Sequence, residues 1–108
     1  MSIIEDFGQT QEVEITVLVD NRADLLVKST DTVKRFTDKP LFGEHGFAAL
    51  VDLKAAGVRI LWDAGISQIV LLENARRMEI DLATVDKIAL SHGHGDHYAS
   101  MTGVIQQI

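Results

Sequence analysis

The sequence contains no cysteine. That excludes disulfides and thiolate ligation, so any metal site must be built from imidazole and carboxylate donors. Such donors suit Zn, Mn, Fe or Co, with zinc the default. A single proline and the lack of any low-complexity tract, beside 46% hydrophobic residues, exclude a disordered or linker-like chain. No apolar run approaches the ~18 residues of a membrane span. Nor do the first fifteen residues pair a basic segment with an apolar one, so a soluble, cytoplasmic protein is expected. Positive charge is also scarce: ten Lys and Arg against sixteen Asp and Glu give a formal net charge of -6. The pairs Lys34-Arg35 and Arg76-Arg77 are too few for a nucleic-acid stripe, and a small-molecule substrate is expected instead.

What is present fits one domain. A chain of 108 residues buries roughly 60–70% of the surface that it exposes unfolded. Residues 1–11 read as a loosely ordered lead-in, and residues 12–108 as the domain. Alternating polar and apolar residues over 12–20 predict a strand with one face buried, closed by a turn at Asp20-Asn21. Residues 22–43 read as an irregular excursion in which Lys34-Arg35-Phe36 fits a short turn of helix and Lys39-Pro40 ends any continuation. Residues 46–53 and 58–62 predict two strands joined as a hairpin, with Phe47 and Trp62 read as core. Ile66, Ile69, Val70, Leu72, Ala75 and Met78 then follow helical spacing, with Ser67 as an early cap. A short turn over 81–86 leads to a strand at 87–90, and a helix is expected within 98–108. This order of strands, helix and strand predicts an α/β layer with helices covering a sheet.

The fourth strand runs into Ser91-His92-Gly93-His94-Gly95-Asp96-His97, which holds three of the chain's four histidines. Gly93 and Gly95 disfavour a helix, so the stretch is read as an extended loop with His92, His94 and Asp96 on one side. His97 reaches a neighbouring point once the chain turns, an arrangement that suits two adjacent metal ions. Asp63 and Asp20 also stand at expected strand ends, where ligands gather in open α/β sheets.

The run from His92 to His97 matches the HxHxDH signature of the metallo-β-lactamase fold, and Leu61-Trp62-Asp63-Ala64-Gly65 is similar to the family's strand ending in aspartate and glycine. Within that superfamily, Thr16-Val17-Leu18-Val19-Asp20-Asn21, Glu44-His45-Gly46-Phe47 and Ser91-His92-Gly93-His94 resemble a subgroup of small-molecule metal-dependent hydrolases. That subgroup includes the dihydropterin ribofuranosylaminobenzene phosphate synthases. The resemblance covers nearly all of residues 13–97. Beyond it, Tyr98-Ala99-Ser100-Met101-Thr102-Gly103 departs from the subgroup's usual glycine pair.

The resemblance implies a four-layer αββα sandwich, of which this chain corresponds to the N-terminal half: a mixed sheet with helices on one face. It implies two divalent metal ions, His92 and His94 holding the first and Asp96 and His97 the second. Asp96 would also be catalytic, orienting a metal-activated water. Asp63 would support the ligands, or alternatively brace or cap the following helix. His45, Asp20, Asn21 and Tyr98 are further pocket candidates, each with an ordinary structural alternative. His94 stands where oxygen- or nitric-oxide-reducing relatives tend to carry glutamate, which favours hydrolysis. Since half a sandwich supplies half a site, a homo-oligomer or a complementing C-terminal half is the expected partner. The functional expectations are a metal-dependent hydrolase, a non-catalytic half-domain that associates with itself or a second polypeptide, and synthase-type C–N bond chemistry on a pterin-like substrate.

Overall fold

The computed structural model describes residues 12–23, 26 and 28–108, so the lead-in at 1–11 and most of Leu25-Leu26-Val27 lie outside the described residues. Four strands form one sheet: β1 (Val13–Val19), β2 (Ala48–Leu53), β3 (Val58–Trp62) and β4 (Lys87–Ala89), in that spatial order. The β1–β2 and β2–β3 pairs are antiparallel, whereas β3 and β4 are parallel, which makes the sheet mixed. Helix α1 (Gln68–Arg77) connects β3 to β4, followed by a short 3-10 turn at Leu82–Thr84. Two short helices, α2 (Gly95–Tyr98) and α3 (Met101–Ile105), complete the described elements.

The sheet divides its side chains by strand period. On one face Leu50 pairs with Leu61, and Leu61 with Ile88. This face joins Leu71 and Ala75 of α1 and Val104 of α3 in the core cluster, so the helices pack there. Farther along the same face the pattern turns polar, with Asp52 opposite Arg59 and an ion pair of 3.1 Å between them. Between Val17 and Val19 the register shifts, and the consecutive residues Leu18 and Val19 are both buried. A bulge of this kind breaks the strict alternation of sides.

The other face is apolar and open. Val13, Ile15 and Val17 of β1 are 48%, 62% and 46% exposed, and Trp62 at the end of β3 is 43% exposed. Two expectations are corrected here. The apolar side of β1 is not buried along residues 13–17, and Trp62 is not a core residue, because both project from the side opposite the helices.

Helix α1 begins where its cap is expected: the Ser67 hydroxyl accepts from the Val70 amide. Glu44 reinforces that end, its carboxylate accepting from the Ile66 and Ser67 amides and the Ser67 hydroxyl. No helical turn forms at residues 34–36. There the side chains of Ser29 and Thr30 accept from the amides of Arg35 and Val33, offering the backbone an alternative to helix. Buried Asn74 ties this excursion to the core by donating to the Leu18 and Phe42 carbonyls and accepting from the Phe42 amide. Among the described residues, no helix is long and apolar enough to cross a membrane.

Candidate metal centre

The parallel strands β3 and β4 end side by side, and the Asp63 amide donates to the Ala89 carbonyl at 2.8 Å. This adjacency brings the residue after β3 against the loop after β4. Asp63 has φ 60, a left-handed conformation that aspartate adopts more readily than most residues, and it is 1% exposed. Its carboxylate accepts from the Ser91 amide at 2.7 Å, the Ser91 hydroxyl at 2.6 Å and His97 Nδ1 at 2.6 Å. Burial pushes the Asp63 carboxyl upward, but the hydrogen bonds from Ser91 and His97 outweigh it and hold the group below its ordinary range. Helix capping falls to Ser67 and Glu44, while the Asp63 carboxylate meets Ser91 and His97.

The histidine stretch is non-helical only as far as His94. That residue, in the β region, is the N-cap of α2, whose turn contains Asp96 and His97. The expectation of a loop throughout is therefore corrected. Gly95 occupies the first helical position, where the helix-interior penalty of glycine does not apply in full, and acidic Asp96 sits favourably in the first turn.

Neighbouring segments grip this turn. The Ala64 amide donates to the His97 carbonyl at 2.7 Å, and the Phe47 amide to the Asp96 carbonyl at 3.3 Å. Ser100 on its far side donates its hydroxyl to the Ala64 carbonyl. Gly46, at φ 152, approaches so closely that an added Cβ would stand 2.6 Å from the Asp96 carbonyl oxygen.

These restraints bring the three imidazoles together. Ring centroids of His92 and His94 are 4.6 Å apart, and those of His92 and His97 are 4.1 Å apart. Asp96 Oδ2 lies 3.6 Å from His97 Nε2 and 3.1 Å from His45 Nε2. His45 thus stands at the site, with its side chain 77% exposed. Asp20 and Asn21 act one step back. The Asp20 carbonyl accepts from the Glu44 amide and Asn21 Oδ1 from the Gly46 amide, which shapes the turn that carries His45. Tyr98 is 44% exposed at the end of α2.

The donor chemistry fits a divalent metal ion. His97 presents Nε2 while a buried carboxylate holds its Nδ1, the arrangement that orients metal-binding imidazoles. Its 3.6 Å separation from Asp96 suits two ligands sharing one ion at about 2.0–2.2 Å each. The set is a partial one. Among the described residues, no three histidine or carboxylate groups are gathered so as to hold an ion by themselves.

Residues 41–108 match the metallo-beta-lactamase superfamily. The chain belongs to that superfamily. It is 39% identical over 92 residues to an uncharacterized protein of Methanocaldococcus jannaschii, an alignment covering 85% of this chain and 29% of that protein. It is also 27% identical over 92 residues to the same organism's 7,8-dihydropterin-6-methyl-4-(beta-D-ribofuranosyl)-aminobenzene-5'-phosphate synthase, covering 76% of this chain and 31% of the synthase. The alignments thus span about a third of the length of these relatives.

Superfamily membership accords with the mixed sheet and helices described above. Two contributors escaped the sequence reading. Ser91 entered as the first residue of a stretch that carries the resemblance but without a role of its own, and its bonds to Asp63 depend on β3 and β4 being neighbours. Glu44 was visible as the acid before His45, but its link to α1 crosses 22 residues.

Proposed function

We propose that this chain forms part of a metal-dependent hydrolase acting on a small molecule, with His92, His94, Asp96 and His97 as metal ligands at a binuclear centre. The observation that carries this reading is the contact of three imidazoles beside Asp96, with buried Asp63 orienting His97. A bound divalent ion supplies Lewis acidity and makes water a competent nucleophile near neutral pH. The protein's own part is positional. Asp63 holds the His97 ring, and the 44–47 turn holds the backbone of Asp96 while His45 Nε2 meets its carboxylate. Asp96 is thereby held beside His97 and His45, and in this reading its carboxylate orients a reacting water. Zinc is the favoured metal for nitrogen and carboxylate donors, with Mn or Fe compatible.

Metal analysis and hydrolysis assays on wild-type chain and His94→Ala test the proposal. About two ions are expected for the intact protein in which the donor set is completed, with metal content and hydrolysis both reduced in the variant. Equal metal content in the two proteins would overturn it. Synthase-type C–N bond chemistry on a pterin-like substrate is the alternative use of the same ligands, in keeping with the second relative's being named a synthase of a dihydropterin compound; turnover of a pterin-like substrate without net hydrolysis would favour that reading.

The open apolar face of β1, β2 and β3 favours a further reading, in which the chain pairs through this face with a second copy or a complementing polypeptide. Pairing and metal binding are compatible, since a partner able to complete the donor set would also cover the sheet.

A further inference from the structure

Ser91 Oγ stands between two groups, 2.6 Å from Asp63 Oδ2 and 2.8 Å from His92 Nδ1. A hydroxyl has one proton to donate and lone pairs with which to accept. An ionised carboxylate only accepts, so the Ser91 proton goes to Asp63. The oxygen can then meet His92 Nδ1 only as an acceptor, which requires the His92 proton to be on Nδ1. The same count applies to His97, whose Nδ1 lies 2.6 Å from the same carboxylate oxygen. His94, the N-cap of α2, makes no side-chain capping bond. Among the described residues, no comparable hydrogen bond holds its ring.

We propose that Ser91 is a positioning residue that extends the hold of Asp63 to His92, so that one buried carboxylate fixes the Nδ1–H tautomer of two histidines and leaves both Nε2 atoms unprotonated, as binding a cation requires. Its purpose rests on the metal-site reading, whereas the tautomers themselves do not. Neutral imidazole in water favours the opposite tautomer, with its proton on Nε2, which leaves Nδ1 as the free nitrogen. In His92 that nitrogen faces the Ser91 hydroxyl. Without the serine hydroxyl, His92 would have no group to hold its proton on Nδ1. His97 would keep its own direct bond to Asp63.

The test uses the metal-free 108-residue chain with 15N-labelled histidine, read by long-range proton–nitrogen NMR at a pH where the imidazoles are neutral. In the wild type, both His92 and His97 should show a protonated Nδ1 and an unprotonated Nε2. In Ser91→Ala, His92 should lose that pattern while His97 keeps it; in Ser91→Thr, which retains the hydroxyl, both should keep it. A protonated Nε2 on wild-type His92 overturns the proposal, as does an unchanged His92 in folded Ser91→Ala. Should Ser91→Ala not fold, the wild-type and Ser91→Thr spectra still decide. Zinc titration supplies a second readout, with affinity expected to fall about 10- to 100-fold in Ser91→Ala and not in Ser91→Thr. Because the tautomers are read without metal, failure of the hydrolase reading and failure of this one give different results.

Discussion

His97 Nδ1 meets the buried Asp63 carboxylate at 2.6 Å although the two residues stand 34 positions apart in the chain. The contact crosses from the end of β3 to the turn after β4, and it shares its acceptor oxygen with the Ser91 hydroxyl. Asp63→Asn is a clean probe, because asparagine also tolerates the left-handed backbone at this position. The amide keeps the shape but replaces one acceptor oxygen with a donor, which then faces other donors. A stability loss of about 1–3 kcal/mol is expected, the usual cost of a buried polar group deprived of its partner. Urea denaturation of the two proteins measures it; equal midpoints would show that the bonds at Asp63 contribute nothing to the fold.

Gly46 sets how closely the 44–47 turn approaches α2. Alanine there would combine a disfavoured φ of 152 with a Cβ 2.6 Å from the Asp96 carbonyl oxygen. Backbone on both sides of that contact leaves no flexible side chain to yield. Gly46→Ala is expected to cost about 1–3 kcal/mol. Gly93→Ala is the control, since an added Cβ meets nothing within 4 Å and the change should stay within about 0.5 kcal/mol. Comparable losses in the two variants would contradict the assigned role of Gly46.

Some of this architecture could be read directly from the residues. The spacing from Ile66 to Met78 and the capping chemistry of Ser67 describe α1 locally, and helix patterns of this kind need no knowledge of neighbours. The clustering of histidines was equally plain. The contacts behind them were not, because Asp63, Ser91 and His97 meet only once β3 and β4 lie side by side. Trp62 was misread for a related reason. Strand periodicity assigns side chains to two faces but does not say which face the helices cover, and on β3 both faces carry apolar residues. The turn of α2 was obscured by Gly93 and Gly95, whose helix penalty matters in an interior and less at a first position.

Glu73 predicts a pH dependence remote from the histidines. Hydrogen bonds from Arg76 and then Arg77 pull its pKa from 4.5 to about 2. The group is therefore a stronger acid folded than unfolded. Its contribution to stability is fully present above about 4.5 and is lost as pH falls toward about 2, because the unfolded chain takes up the proton first. The stability difference between wild type and Glu73→Gln should accordingly shrink across that window and be constant above it. Added salt should reduce the difference at every pH, since these ion pairs lie at the surface. Denaturation midpoints at several pH values check both expectations, and a difference that grows on acidification would reverse the assigned sign.

The open face of the sheet makes the last prediction. Ile15 pairs with Val51 and Val51 with Ile60, forming an apolar row across three strands, with Val13, Val17 and Trp62 on the same face. Ile15 is 62% exposed at the centre of an edge strand, so a lysine there would project a charge into any layer that covers the row. If copies of the chain pair through this face, wild-type chain should show a concentration-dependent mass by light scattering. Ile15→Lys should shift it toward monomer while leaving the fold intact, because the substituted side chain leaves solvent rather than core. The covering layer must be apolar to match the row, and burying each large side chain would contribute about 1.5–3 kcal/mol. A wild-type chain that stays monomeric at all concentrations would remove the second copy as the covering layer. An Ile15→Lys protein that associates as strongly as wild type would place the contact elsewhere on the molecule.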